Sequence, residues 1–225
     1  MASARSLPLR LLRWSVTLVV GCWLAAALSL AAFRWVDPPT TVLQIQRRVE
    51  AKLAGRSYRK RCVFLPLDRI SPDFQHAVIA AEDARFYQHH GFDWTEIRNA
   101  VEDDLDDRRV RGASTITQQL VKNLYFGTSR SYIRKGIEAS LVPIAERALG
   151  KQRILELYLN VVEWGPGVYG AEAAARYHYN TSARAIDRTQ ALRLAAVLPS
   201  PLRRRPDRMT KYAGIIDVRM RQMSW

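Results

Sequence analysis

Cysteine, histidine and acidic residues are all in short supply in this 225-residue chain. Its two cysteines, Cys22 and Cys62, are too few for a disulfide framework or a cysteine-built zinc site. Its four histidines show no ligand spacing beyond the adjacent pair His89 and His90, and neither an H-E-x-x-H sequence nor a P-loop occurs. Internal repeats and low-complexity tracts are also absent, so the chain reads as an ordinary globular sequence. Only 21 Asp and Glu face 35 Lys and Arg, a net charge of +14. Such an excess calls for an anionic partner: nucleic acid, lipid head groups or a phosphorylated substrate.

Charge is missing altogether from Trp14 to Phe33. As a helix rising about 1.5 Å per residue, twenty such residues span roughly 30 Å, the hydrocarbon thickness of a bilayer. Arg5, Arg10 and Arg13 precede this span with no acid among them, which predicts a cytoplasmic N-terminus. A cleaved signal peptide is the competing reading, but its apolar core is typically about 7–15 residues, shorter than this one. The expectation is a retained anchor in residues 1–36, with the span at about 14–33, and an exported domain in residues 37–225. The exported part keeps 31 basic against 21 acidic residues, so its net charge is +10. Cys22 in the span and Cys62 outside it cannot pair, and Cys62 is expected to be a small buried hydrophobe.

Helical signals dominate the exported part, giving a mainly α fold. Pro38-Pro39 breaks the chain past the anchor, and a helix is expected from Thr40, with Val42, Ile45, Val49 and Leu53 on related faces. Only RSYRKRCVFLPL, residues 56–67, reads as extended. Ser71-Pro72-Asp73 marks a helix start, with a cap, a proline at the first position and an acid at the positive end. Asp93 with Glu96 and Asp187 with Gln190 form capping-box patterns. Helical periodicity runs through 115–126, 132–149, 151–162, 170–179 and 188–198, with Gly150 as a stop. Gly165 to Gly170 matches G-x-G-x-x-G but follows a helical run, and no acid stands at position 190, so it is discounted as a nucleotide motif. Ser57 to Lys60 matches S-x-x-K, but no K-T-G follows.

Three segments carry chemistry. AVIAAEDARFYQHHGFDW puts Glu82 and Asp83 at the end of an apolar helix beside Phe86, Tyr87, His89 and Trp94, where a raised carboxylate pKa suits acid or base work. In RGASTITQQLVKNLYFG, Thr115, Gln119 and Lys122 fall at i, i+4 and i+7, so hydroxyl, amide and ammonium share one helical face. SRSYIRKGIEASL holds Arg130, Arg134, Lys135 and Glu138, three cations close enough to grip a pyrophosphate. Taken singly, each is also what a solvated helix face or an i,i+4 ion pair looks like.

In this order the segments resemble those of the peptidoglycan glycosyltransferases, specifically the monofunctional biosynthetic ones. The matching residues are Glu82-Asp83-x-x-Phe86-x-x-His89-x-Gly91, then Gly112-Ala113-Ser114-Thr115-Ile116-Thr117-Gln118-Gln119-Leu120-x-Lys122-Asn123, then Arg134-Lys135-x-x-Glu138. Ile154-Leu155-Glu156-x-Tyr158-Leu159-Asn160 and Trp164-Gly165-x-Gly167-x-x-Gly170-x-x-Ala173-Ala174 follow, and the likeness covers roughly residues 40–205. It implies a lysozyme-like helical glycosyltransferase domain behind a single transmembrane helix. The implied substrates are lipid II and the growing glycan strand, at a cell inner membrane with the catalytic domain in the periplasm. Further implied partners are inner-membrane lipids and other cell-wall synthesis proteins, with no nucleic acid.

The resemblance also implies roles for residues. Glu82 would be the base on the acceptor's sugar hydroxyl, and Glu138 the second important acid, orienting cations or sharing a divalent metal, magnesium or manganese, with the substrate pyrophosphate. Lys122, Arg130, Arg134 and Lys135 would meet the leaving pyrophosphate, Thr115 and Gln119 would contact sugar or phosphate, and Asp83 and His89 would support Glu82. Asn160, Trp164 and the glycines would be structural, and no organic cofactor is implied. The chain length leads to the expectation that no transpeptidase domain is present. A lysozyme-like hydrolase acting on mature glycan is the alternative, with a nucleic-acid module and an inactive cell-wall scaffold as further rivals.

One stretch departs from the family's pattern. Between the first two motifs the family has a mobile, apolar or basic flap near the membrane, whereas residues 101–111 here read VEDDLDDRRVR, with five acids. Anionic lipid repels that many acids, so the flap is expected to be mobile but solvated. Replacing the five acids with Asn or Ser should therefore change binding to anionic vesicles, and unchanged binding in a flotation assay would count against a solvated flap.

Overall fold

Helices form where caps and apolar faces coincide. A computed structural model of the chain describes residues 6–105, 114–128 and 131–225, so Arg130 and most of the acidic flap lie outside the described residues. The apolar N-terminal segment is helix α1 (Ser6–Ala32), which ends one residue before the expected span does. Within it, Arg13–Ala32 is the one segment among the described residues long and apolar enough to cross a membrane. Helix α2 (Val42–Leu53) starts at Thr41, whose side chain accepts from the Gln44 amide. Helix α3 (Pro72–Glu82) begins with its proline as expected, but Ser71 makes no side-chain capping bond. Proline and Asp73 suffice there.

Helix α4 (Trp94–Leu105) is started by Asp93, whose Oδ1 accepts from the amides of Thr95 and Glu96. Helix α5 (Ile116–Tyr125) carries a full capping box from Thr115 and Gln118. Helix α6 (Tyr132–Val161) is two helices in line, broken at Gly150, which has φ 72°. That is the stop expected from the glycine, although the chain resumes helix at once. Helices α7 (Ala171–Tyr179), α8 (Arg188–Ala195) and α9 (Thr210–Gln222) complete the domain. The Asp187 and Gln190 capping box of α8 forms as expected.

The extended segment yields only a two-residue strand, β1 (Arg61–Cys62). It pairs in parallel with β3 (Val168–Tyr169), which pairs antiparallel with β2 (Glu163–Gly165), in the order β1-β3-β2. The glycines of the discounted nucleotide motif thus make the β2–β3 hairpin and the entry to α7. Cys62 corrects an expectation, because the residue is exposed on the edge strand rather than buried. Only its Sγ finds a partial shelter, 3.9 Å from the Asn160 carbonyl, and that surround pushes the thiol up.

The core lies between α3, α5, α6, α7 and α8, with Phe74 edge-on to Trp164 at 5.1 Å. Asn160, fully buried, clamps the chain at Leu65 by accepting from its amide and donating to its carbonyl, both at 2.8 Å. The last turns of α1 join this core: Leu30 is buried, Trp23 Nε1 donates to Ser140 Oγ at 2.8 Å, and Ser29 Oγ lies 2.7 Å from Tyr125 OH. Arg153 ties down the exit from α1, donating to the carbonyls of Phe33 and Val36 and to Asp37.

Gly170 shows how tightly β3 and α7 meet α6. It has φ 86°, and a Cβ there would lie 2.7 Å from the Asn160 carbonyl oxygen, a backbone atom that cannot swing away. Gly170→Ala should destabilise the fold by about 2–4 kcal/mol. Gly214→Ala, in α9 with open space around it, should be neutral or stabilising by up to about 1 kcal/mol. Chemical denaturation of the two variants separates these outcomes, and equal stability would refute the close contact.

Candidate active site

Glu82 is the last residue of α3, a helix with Phe74, Ala77, Val78, Ile79 and Ala80 all buried. The helix therefore delivers its terminal carboxylate into the domain rather than to bulk water. Glu82 Oε2 accepts from Gln119 Nε2 at 2.7 Å, and Gln119 Oε1 accepts from the fully buried Tyr158 hydroxyl at 2.9 Å. The carboxylate fixes the orientation of the amide: ionised, it only accepts, so Gln119 presents its NH2 to Glu82 and leaves Oε1 to the Tyr158 hydroxyl. Burial raises the pKa of Glu82, and the nearby Asp83 adds to the rise, while Gln119, Lys122 and Arg204 oppose it. The Tyr158 phenol is pushed well above its ordinary value by burial and by the two carboxylates, which keeps it a donor.

Lys122 stands one turn beyond Gln119 on α5. Burial first, then Lys135 and Arg134, lower its pKa, and Glu138 and Glu82 raise it. Lys122 thus feels both acids and stands between Glu82 and a cluster on α6. There Glu138, 1% exposed, receives Arg134 Nη1 at 3.0 Å and Lys135 Nζ at 2.6 Å. One carboxylate among three cations leaves a surplus positive charge facing the same space. Arg134 Nε is buried and has no partner among the described residues, a donor left over for an anionic ligand.

Asp83, His89 and Thr115 lie behind this surface. Asp83 caps α3, its Oδ1 lies 2.8 Å from His89 Nε2, and its Oδ2 accepts from the Ile116 amide, the first of α5, at 2.9 Å. The Gly91 amide donates to His89 Nδ1, so the ring carries its proton on Nε2 and gives it to Asp83. Thr115 sits otherwise than expected: it is 2% exposed, its hydroxyl donates to the Gly91 carbonyl at 2.6 Å and accepts from the Gln118 amide. No lone proton remains for a sugar or phosphate. These residues brace the site from within.

Asp83, His89 and Asp93 also bring three potential metal-ligand atoms within 4.8 Å of one another. Most of their polar atoms are already engaged, however. Asp83 and His89 are bonded as described and Asp93 Oδ1 holds the start of α4, whereas Asp93 Oδ2, 3.5 Å from Arg85 Nε, accepts no hydrogen bond among the described residues. Glu138, expected as a metal partner, has both oxygens held by cations. Asp83, His89 and Asp93 are thus a cluster that could hold a cation, with Asp93 Oδ2 as its one open ligand atom, whereas an ion at Glu138 would be a third cation on that carboxylate.

The structure thus gathers Glu82, Gln119, Lys122, Arg134, Lys135 and Glu138 around one space. Two residues beside Glu82 carry no role in the sequence reading. Tyr158 stands in a quoted motif, but nothing in its spacing reveals a hydroxyl aimed at Gln119. Arg204 stands in an arginine run, Arg203 to Arg205, whose charge density was the only available signal.

Residues 49–223 match the sequence family described as Transglycosylase. The chain is 44% identical over 207 residues to the biosynthetic peptidoglycan transglycosylase of Pseudomonas putida strain W619, covering 89% of this chain and 88% of that protein. It is 48% identical over 178 residues to the protein of that name from Pseudomonas fluorescens strain SBW25, with 79% and 74% covered. With its counterpart from Shewanella oneidensis strain MR-1 it shares 42% over 218 residues, covering 95% and 93%.

The Tyr158–Gln119–Glu82 chain makes a directional prediction. Tyr158→Phe frees the Gln119 amide to rotate and weakens its support of the carboxylate, so the Glu82 pKa should rise further. Carboxyl carbon NMR titration should show the Glu82 resonance moving at higher pH than in the native chain. An unchanged titration would mean that Tyr158 only fills space.

Proposed function

The chain belongs to the transglycosylase family and is a peptidoglycan glycosyltransferase that acts on lipid II and glycan strands, and we propose that Glu82 is its base. The carboxylate takes the proton from the acceptor's sugar 4-hydroxyl as that oxygen attacks the anomeric carbon of the donor strand. The bond from that carbon to the lipid pyrophosphate breaks on the opposite face, so configuration inverts and a β-1,4 link results. A base with a raised pKa suits this task, because it holds the proton it receives.

Lys122, Arg134 and Lys135 meet the negative charge that develops on the leaving pyrophosphate. The single observation that carries the assignment is the 2.7 Å bond from Gln119 Nε2 to Glu82 Oε2, which sets the carboxylate against α5 one turn before Lys122, the cation that also faces the Glu138 cluster. Base and anion site are thus within one charge neighbourhood, as an attack and a departure at the same carbon require. Glu138 holds Arg134 and Lys135 in place, and Gln119 holds Glu82. Arg130 is proposed to join the same cluster on the strength of its sequence position alone. Asp83, His89 and Thr115 are positioning residues behind α5. A hydrolase acting on mature glycan has no pyrophosphate to release and gives no reason to keep Arg134 Nε buried beside a cationic cluster.

An apolar helix at the N-terminus provides a membrane anchor. Three arginines before it support a cytoplasmic N-terminus and a periplasmic catalytic domain at the inner membrane, with residues 37–225 as the catalytic unit.

Glu82→Gln keeps the shape and loses the base. It should lower lipid II polymerisation by about 10²–10⁴-fold. Stability should move the other way. Between the carboxyl's unfolded pKa and its raised folded value the native state holds the proton more tightly, so this group loses native stability as pH rises through that window. Glu82→Gln should therefore melt a few degrees higher at neutral pH, by about 1 kcal/mol. Gel analysis of glycan products and a thermal melt check the two halves, and normal polymerisation by the variant would overturn the base assignment.

A further inference from the structure

A second cavity, of about 510 Å³, opens between the β2–β3 hairpin, the end of α7, α8 and the turn at 201–207. Arg193, Arg203, Arg204 and Arg205 line it, against one acid, Asp207. None of the four arginines is in an ion pair among the described residues. Four guanidinium groups converging on one concavity repel one another, a standing cost that a bound anion removes. Arg204 is held by its bond to the Ala196 carbonyl at 2.9 Å and by stacking over Tyr212, so it is a fixed charge and not a waving side chain.

Two tyrosines complete the lining. Tyr177 is 47% exposed and carries the Arg61 guanidinium 5.2 Å from its ring centroid, an apolar plate with a cation on it. Tyr179 lines the cavity and has a buried hydroxyl with no protein partner, a polar group whose burial is unexplained by the protein itself. The cavity borders α8, which packs on α3, the helix that ends at Glu82, and the lining residue Arg204 is among the cations that favour the Glu82 carboxylate.

We propose that this cavity binds a carboxylate carried by the glycan substrate, holding the strand in register beside Glu82 without touching the reacting atoms. Planar guanidinium groups take carboxylates two bonds at a time, the tyrosine plate accepts the face of a sugar or peptide, and the Tyr179 hydroxyl supplies a further bond. This rests on the peptidoglycan reading, since the peptide branches of such a glycan end in carboxylates. A phosphate offers the same oxyanion chemistry, and competition distinguishes the two.

The test is calorimetry on the full chain in detergent micelles. The probe is a lipid-free disaccharide-peptide with free carboxylates, set against the same compound with its carboxylates amidated. Amidation should weaken binding at least tenfold, as should the double variant Arg203→Gln, Arg205→Gln, whose two residues are exposed enough to leave the fold intact. Tyr179→Phe, which removes only the hydroxyl, should weaken the probe severalfold. Equal binding of the amidated probe, full binding by the double variant, or displacement of the probe by inorganic phosphate at matching concentration would each overturn the carboxylate assignment. Glu82→Gln should bind the probe like the native chain although it no longer polymerises. Polymerisation by the native chain without probe binding therefore sinks the cavity alone, and probe binding without polymerisation sinks the activity.

Discussion

Asp83 joins the end of one helix to the start of another, and the geometry of the site descends from that junction. Its backbone amide closes α3 on the Ile79 carbonyl, and its carboxylate takes the first amide of α5 and receives the His89 proton, so three segments meet at one buried residue. Glu82 leaves α3 one residue earlier, and Gln119 and Lys122 leave α5 within two turns of the same point. Were this junction to loosen, the distance between Glu82 and the Gln119 amide would no longer be set. A negative group is also favourable at the positive end of α5, so the electrostatics and the hydrogen bonding agree.

Such a site is expensive to fold. Glu138 is almost wholly removed from water, and only the two short contacts from Arg134 and Lys135 make its charge tolerable. Lys122 and Glu82 are shifted toward neutrality by the same burial. A protein selected for stability alone would fill this space with leucine. The apolar packing of the core carries the deficit, as where Phe74 of α3 meets Trp164 edge-on.

Much of this was legible in the sequence, and the exceptions have physical reasons. Helices α2, α3 and α5 to α8 follow from caps, prolines and apolar spacing, and Glu82 at the end of an apolar helix was readable as a carboxylate with a raised pKa. Thr115 was misplaced because the face rule assumes a helix through residue 115. The helix begins at Ile116, and Thr115 has extended φ and ψ as its cap, so its hydroxyl turns back toward Gly91. Tyr158 reaches Gln119 across 39 residues of sequence, a relation that no local period encodes. Strands of two and three residues show no alternation to read, and Cys62, assumed buried for its chemistry, lies on an edge strand of the small three-stranded sheet.

The bonds between α1 and the domain have a mechanical consequence. Trp23 is nine residues from the end of α1, about 14 Å along its axis, and it is already fastened to Ser140. The lobe is consequently moored to its apolar helix rather than leashed by the peptide between them, so helix and lobe tilt and turn as one body.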